Sequence, residues 1–240
     1  MNKKELKKEI EVASNYIQQF LPEPLSGIVS VDWRYIPGKT IGGDAFGYGW
    51  MDQDHFFVYL LDVAGNGVKA ALHLSTIIHV LHELKRKKDS SLLHPKELFQ
   101  KLNQEFPMQE NDNAFFTMWH GVYDKHAHIL TFASAGHPAA ILLPRGKLLQ
   151  TNNPAIGVGS FSNFEEEKVA IDHSDLLYIM SDGVFELQKR DGKMQTFTEF
   201  LQVLKTSSGS DLDQHISTCH EITGKKCFED DFSMVRLHFE

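Results

Sequence analysis

The chain has 240 residues, of which 42% are hydrophobic and 23% are charged, a composition typical of a globular protein. Its formal net charge of −8, from 24 basic and 32 acidic residues, argues against a general nucleic-acid-binding surface. No apolar run approaches the roughly 18 residues that a membrane span requires, and the lysine-rich start lacks the apolar segment of a secretion signal. We therefore expect a cytoplasmic protein that contacts neither nucleic acid nor membrane.

Apolar residues recur at spacings of four and three over residues 3–20, which predicts an amphipathic helix. The stripe consists of Leu6, Ile10, Ala13, Ile17 and Phe20. It is short for a coiled coil, so two interpretations stay open: the helix packs on its own domain, or it forms a dimer seam. We expect an N-terminal helix and linker at residues 1–26 and one domain at residues 27–240.

The rest of the chain predicts a layered α+β fold with mostly antiparallel sheets. Alternating and β-branched residues predict strands at 28–35, 45–50, 55–61, 114–123, 129–134, 139–143, 147–150, 167–171, 176–181 and 232–239. Helical spacing of apolar residues predicts helices at 68–87, 95–106, 198–206 and 212–222. The two cysteines, Cys219 and Cys227, fit no zinc-binding spacing and are expected to be free thiols.

Acidic residues stand at the ends of several predicted strands: Asp44, Asp62, Asp182 and the cluster 229–231. Any one of them could be a simple turn residue, because aspartate is favoured in turns. Asp62 and Asp182, however, follow strongly apolar runs that should lead out of a buried sheet, where a carboxylate is costly unless it is paired or bound to a metal. Several hard oxygen ligands at one sheet edge predict a binuclear magnesium or manganese hydrolase.

Two other chemistries fit the sequence less well. Residues 65–70 read G-x-G-x-x-A after a strand, a partial dinucleotide-binding fingerprint, but the second strand with its acidic residue about 20 positions on is missing. Ser181 and His137 supply residue types of a catalytic triad, yet the chain has no G-x-S-x-G motif. We expect His137 and Pro138 to form a tight turn between two strands.

Seven short motifs follow one another along residues 27–240. They are Ile-Gly-Gly-Asp-Ala-Phe at 41–46, Leu-Asp-Val-Ala-Gly-Asn-Gly at 61–67 with Ala-Ala-Leu at 70–72, Phe-Thr-Met at 116–118 with Gly-Val-Tyr-Asp at 121–124, Ala-Ser-Ala-Gly-His-Pro at 133–138, Ile-Gly at 156–157, Ser-Asp-Gly-Val at 181–184 with Glu186, and Asp-Asp-Phe-Ser at 230–233. In order and spacing they resemble the metal-dependent protein phosphatase (PPM) family, in its bacterial SpoIIE/RsbU branch.

The resemblance implies an αββα sandwich, in which helices flank two mostly antiparallel sheets, and two Mn²⁺ or Mg²⁺ ions at one sheet edge. It implies that Asp62 bridges both ions and that the Val63 carbonyl binds one of them. Asp182 and Asp230 would complete the shell of the other ion. Asp44 would serve the second ion directly or through water.

The resemblance also defines the chemistry. Asp62 and Asp182 would act through a water that the ions activate to attack phosphorus. Asp230 is assigned as the ligand of its acidic cluster, with Asp231 and Glu229 as possible substitutes. Eukaryotic members have a histidine two residues after the bridging aspartate, where this chain has Ala64, so the proton donor to the leaving group is unidentified.

The expected function is therefore that of a cytoplasmic protein serine/threonine phosphatase. The resemblance implies a STAS-domain anti-anti-sigma factor as substrate in a partner-switching pathway, and homodimerisation or regulator docking through residues 3–20. The alternative is a pseudophosphatase that binds a phosphoprotein without turnover, because a site that keeps its aspartates can still fail through defects around them. A nucleotide-binding domain is less favoured.

Overall fold

Two five-stranded antiparallel sheets form the centre of the structure, a computed structural model that describes residues 2–38, 41–160, 163–206 and 211–240. The strands are β1 Val29–Ile36, β2 Asp44–Trp50, β3 His55–Val63, β4 Phe116–Asp124, β5 Ile129–Ala135, β6 Ala140–Leu143, β7 Lys147–Leu149, β8 Glu167–Ala170, β9 Leu176–Met180 and β10 Phe232–Phe239. Sheet one has the order β1-β10-β9-β6-β7, and sheet two has the order β2-β3-β4-β5-β8.

Helices cover the outer face of each sheet. They are α1 Lys3–Gln18, α2 Gly67–Arg86, α3 Pro95–Glu105, α4 Phe197–Thr206 and α5 Leu212–Thr223. Apolar residues of α1, α2 and α3 pack on sheet two, and those of α4 and α5 pack on sheet one. A third apolar core lies between the sheets. The predicted αββα sandwich is thus confirmed, and so is the predicted order of strands and helices.

Strand β3 shows how the sequence builds this layering. Successive side chains of a strand point to opposite faces, so a strand buried on both faces needs apolar residues throughout. Phe56 and Leu60 enter the core between the sheets. Phe57 and Leu61 enter the core beneath the helices on sheet two. The uninterrupted apolar run before Asp62 is therefore the signature of a central strand.

Both sheet neighbours of β3 run antiparallel to it, so the turn that follows β3 does not open a parallel β-α-β unit. This arrangement contradicts the structural context that the dinucleotide-binding interpretation requires. Gly65 and Gly67 have φ values of +104° and +74°. Residues other than glycine rarely adopt such backbone angles. The two glycines therefore allow the tight turn from β3 into α2.

Helix α1 packs on its own domain. Ile17 is 6% exposed and belongs to the core beneath the helices on sheet two, with Ile10 and Ala13 partly buried against the same core. Phe20 lies against His82 of α2, with ring centroids 6.1 Å apart. Leu6, at the start of the stripe, is 45% exposed. The self-packing interpretation therefore accounts for most of the stripe, and dimerisation through this helix stays untested.

The linker after α1 also contacts the sheets. The indole nitrogen of Trp33 donates to the Pro22 carbonyl at 2.9 Å, and the Tyr48 hydroxyl donates to the Glu23 carbonyl at 2.7 Å. The division at residue 26 stays a prediction. Cys219 is buried and Cys227 is exposed, and both are free thiols as expected. No helix in the described parts of the chain is both long and apolar enough to cross a bilayer.

Replacing Ile17 by aspartate should lower the free energy of unfolding by about 3 kcal/mol, because the change removes a buried apolar side chain and places a charge in the core. Val12 lies on the same helix but is 61% exposed, so Val12→Asp should change stability by less than about 0.5 kcal/mol. Thermal unfolding and light scattering would measure stability and mass. A lower mass of Ile17→Asp at unchanged melting temperature would indicate a dimer seam instead.

Candidate active site

Carboxylates from both sheets lie together at one edge of the sandwich. Asp44 begins β2 and stands directly opposite Asp62, near the end of β3 in sheet two. Asp182 follows β9 and opens a short 3-10 turn, and Asp230 lies just before β10, both in sheet one. The structure thus brings together the four aspartates that the sequence singled out.

Their electrostatics show how close these groups are. Burial, followed by the negative charges of Asp182, Asp230 and Asp231, raises the pKa of Asp62 to about 7. The pKa of Asp182 is also raised, by burial first and then by Asp230 and Glu186. Like charges at this density disfavour one another's ionised form. The cluster therefore favours a bound cation or a proton.

Asp44 connects the two sheets. It is 2% exposed, and its Oδ2 accepts a hydrogen bond of 2.6 Å from the hydroxyl of Ser233 on β10. Burial, followed by the charges of Asp62 and Asp231, raises its pKa well above the ordinary value, against the opposing effect of the Ser233 bond. The Asp44 carboxylate is thus held between its neighbour Asp62 on β3 and the Ser233 hydroxyl on β10.

Asp231 holds the loop that leads into β2. Its carboxylate accepts hydrogen bonds from the backbone N–H groups of Gly38 at 2.8 Å and Gly43 at 2.6 Å. Glu229 is paired with Lys225 at 2.5 Å. Asp230 is exposed and lies next to Asp182, whose pKa it raises. Asp230 and Asp231 thus both lie close enough to the other carboxylates to raise their pKa values.

Glycine at position 43 keeps the Val63 carbonyl accessible. A Cβ atom at this position would lie 3.0 Å from the Val63 oxygen and 3.6 Å from Oδ1 of Asp62. The Gly43 carbonyl in turn accepts a hydrogen bond from the Val63 N–H at 3.1 Å. A larger residue would crowd the two oxygens that the sequence assigned to metal binding, which explains the glycine before Asp44.

His137 lies in the loop between β5 and β6, as expected for a turn between strands. Its Nδ1 is 2.7 Å from the hydroxyl oxygen of Thr117, the residue opposite Asp62 on β4. Burial lowers the pKa of His137 to about 3, so the ring is neutral at physiological pH. Ser181 donates its hydroxyl to the Asp231 carbonyl at 3.1 Å. Both residues serve the local structure rather than a catalytic triad.

Two cavities of about 410 Å³ each lie on either side of the carboxylates. Asp182 and Glu186 line both of them. The first cavity also reaches Asp230, and the second also reaches Asp62 and His137. The site therefore has open space on two sides of Asp182, enough for a phosphorylated side chain and the polypeptide attached to it.

The donor set suits a hard divalent cation, because carboxylate and carbonyl oxygens are the ligands that Mg²⁺ and Mn²⁺ prefer. Within the described residues, no three His, Cys, Asp or Glu side chains already converge as ligands of one ion. Mg²⁺ retains several waters when it binds proteins, so it does not require a closed shell of side chains. The chemistry of the residues fits the metal, and relief of carboxylate repulsion would favour binding.

The family model of stage II sporulation protein E (SpoIIE) matches residues 52–240. The chain is 25% identical to phosphoserine phosphatase RsbU of Bacillus subtilis (strain 168) over 197 residues, which are 80% of this chain and 57% of that protein. It is 27% identical to phosphoserine phosphatase RsbP of the same organism over 188 residues, which are 75% of this chain and 46% of that protein. The chain thus spans about half the length of these relatives.

A solved structure, the SiaA PP2C domain of Pseudomonas aeruginosa, is similar with a TM-score of 0.83. The match covers 99% of this chain and 98% of that one at 19% sequence identity. At this identity the likeness shows the fold, and it agrees with the two helix-covered sheets described above.

Asp62→Asn should stabilise the metal-free protein, and more at high pH than at low pH. A carboxyl whose folded pKa of about 7 exceeds its unfolded value contributes stability below the unfolded pKa and loses it as the pH rises through 7. The gain on substitution should therefore be on the order of 2 kcal/mol larger at pH 8 than at pH 5. Denaturant unfolding in the presence of a chelator measures this difference.

Asp172→Asn is the matched control, because the Asp172 side chain is 73% exposed and lies outside the cluster. Its effect should not depend on pH over this range. An Asp62→Asn gain that is equal at both pH values would show that the charge of Asp62 is not opposed by its neighbours.

Gly183→Ala should push apart two segments beside sheet one, the turn after β9 that carries Asp182 and the loop before β10 that carries Asp230. A Cβ atom at Gly183 would lie 2.2 Å from the Asp231 carbonyl oxygen and 3.3 Å from the Cβ of Asp230, so one segment must move. We expect a loss of about 2 kcal/mol in stability and weaker Mn²⁺ binding by calorimetry. A Cβ at Gly159 would meet no atom within 4 Å, so Gly159→Ala should leave Mn²⁺ binding unchanged. Equal Mn²⁺ affinity of both variants would contradict the packing account.

Proposed function

The chain belongs to the family of stage II sporulation protein E, and from this membership we propose that it is a metal-dependent protein serine/threonine phosphatase. The observation that carries the proposal is the group of mutually repelling aspartates drawn from both sheets. Two relatives named phosphoserine phosphatases support the activity. The open cavities beside Asp182 supply room for a phosphorylated protein segment.

We propose that Asp62 would be a ligand of both of two Mn²⁺ or Mg²⁺ ions. The Val63 carbonyl and Asp44 bind one ion, the latter directly or through water, and Asp182 and Asp230 bind the other. When bound, the two ions orient the phosphate and lower the pKa of a water so that it can attack phosphorus. The opposed positions of Asp44 and Asp62 on paired strands, and the close approach of Gly43 to the Val63 and Asp62 oxygens, support this assignment.

The chain itself positions the reacting groups. The Ser233 hydroxyl fixes one oxygen of Asp44, and Asp231 fixes the loop that carries Asp44. Ala64 brings no proton donor to the position two residues after Asp62, and the neutral ring of His137 is bonded to Thr117. Neither position is therefore arranged to give the serine leaving group its proton.

The substrate we propose is a phosphoserine or phosphothreonine on a signalling protein, such as a STAS-domain anti-anti-sigma factor. The similarity to RsbU and RsbP supports a role in partner-switching signalling. A second candidate is a pseudophosphatase that binds the phosphoprotein without turnover. It is favoured by one observation, the lack of three convergent metal-ligating side chains among the described residues.

Release of phosphate from an aryl phosphate should require Mn²⁺ or Mg²⁺ and should fall about 100-fold or more in Asp62→Asn and in Asp182→Asn. Each substitution removes a carboxylate charge that the ions need. Asp172→Asn removes an exposed carboxylate elsewhere and should retain the wild-type rate. Wild-type turnover by either site variant would eliminate the proposed mechanism. Metal binding without turnover by the unmodified chain would favour the pseudophosphatase.

A further inference from the structure

The first cavity lies between two segments that are distant in sequence. One is a hairpin, residues 187–195, closed by hydrogen bonds from Lys189 N–H to the Lys193 carbonyl and from Gln195 N–H to the Leu187 carbonyl, both 2.8 Å. The other is the loop after α5, residues 223–230. The cavity between them reaches Asp182 and Asp230. A polypeptide whose phosphate is held at these carboxylates, and which leaves on this side, therefore meets both segments.

These segments are basic in a chain that is acidic overall. Residues 187–195 and 223–230 contain five of the chain's 24 basic residues and three of its 32 acidic residues. The basic residues are Lys189, Arg190, Lys193, Lys225 and Lys226. We call them the basic rim. Because the rest of the chain carries an excess of negative charge, the rim is a local reversal of sign beside the candidate active site.

Part of the basic rim is not neutralised within the chain. Lys189 is paired with Glu199 at 2.9 Å and Lys225 with Glu229 at 2.5 Å. Lys193 is 79% exposed and lies 4.0 Å from Asp191, too far for a tight pair. Within the described residues, Arg190 and Lys226 form no ion pair. Three cations thus remain available to a partner.

The rim is also fixed in place. The Arg190 N–H donates to the Ile222 carbonyl at 3.2 Å, which ties the hairpin to the end of α5. The Arg190 side chain lies beside Gly224, where an added Cβ would be 2.9 Å from its Nε. A positioned set of cations can orient a partner before contact, which a mobile set does poorly.

We propose that the basic rim beside the cavity binds the flanking surface of an acidic phosphoprotein, one that carries aspartate or glutamate near its phosphoserine. The inference rests on the proposed phosphatase function and specifies its substrate class. Complementary charge steers encounter and sets register more than it adds raw affinity. A long polyanion such as nucleic acid, or an anionic membrane, would also meet the acidic remainder of the surface and be repelled by it. The confined rim fits a protein of limited contact area.

The binding test uses two fluorescein-labelled peptides with a non-hydrolysable phosphonate analogue of phosphoserine, one with acidic and one with basic flanks, and measures fluorescence anisotropy in the presence of Mn²⁺. The acidic peptide should bind about tenfold more tightly than the basic one, and added salt should weaken it. The double variant Arg190→Glu/Lys226→Glu should lose this preference. The control variant Lys88→Glu/Lys168→Glu makes the same change of net charge at two exposed lysines outside the cavity walls. It should retain the preference for the acidic peptide.

A kinetic test on the same variants separates this inference from the proposed function. With Mn²⁺, Arg190→Glu/Lys226→Glu should lower kcat/KM for the acidic peptide about tenfold and leave aryl phosphate hydrolysis unchanged. If wild-type protein hydrolyses nothing, the phosphatase proposal fails and the anisotropy result alone decides the docking surface. Equal binding of both peptides would overturn the inference. So would an equal loss of peptide preference in the control variant Lys88→Glu/Lys168→Glu, or binding of phosphatidylglycerol vesicles in place of the acidic peptide.

Discussion

Repulsion among clustered carboxylates is the constraint on which the site depends. Asp44 and Asp62 come from one sheet and Asp182 and Asp230 from the other, so the charges meet only when the sandwich closes. Burial, and after it the neighbouring carboxylates, raises the pKa of Asp62 and of Asp182, so ionising these groups in the folded protein is unfavourable. The apolar cores on both faces of each sheet stabilise the fold against this cost. A divalent cation would convert the repulsion into attraction. The arrangement of the carboxylates is therefore suited to binding such a cation.

Hydrogen bonds across the sheet boundary keep the charges in register. The Ser233 hydroxyl reaches Asp44 from the opposite sheet, and Asp231 binds the backbone of the loop that precedes Asp44. Asp231 immediately precedes β10, and Ser233 is the second residue of that strand. One short segment, residues 230–233, therefore supplies a candidate ligand, a loop anchor and a hydrogen-bond donor.

Much of this could be predicted from the sequence, because the fold and the acidic positions leave local signals. The apolar runs before Asp62 and Asp182 indicated central strands, and the structure has β3 and β9 there. The role of Asp231 could not be predicted, since its partners Gly38 and Gly43 are far away in sequence. The basic rim could not be predicted for the same reason. Its two segments are distant in sequence and form one surface only because the hairpin packs on the end of α5.

The N-terminal helix shows the same limit. Its stripe predicted an amphipathic helix, but two different packings satisfied the same spacing, and only the tertiary contacts of Ile17 and Phe20 distinguish between them. A periodic pattern defines which face is buried, whereas the partner of that face depends on the rest of the fold.

The account's central claim is that the aspartates of the two sheets share divalent cations. Anomalous diffraction from crystals soaked in manganese tests it most directly. The account predicts two manganese peaks beside Asp62, one also bounded by Asp182 and Asp230 and the other by Asp44 and the Val63 carbonyl. Strong manganese peaks elsewhere on the molecule, with none beside Asp62, would contradict it.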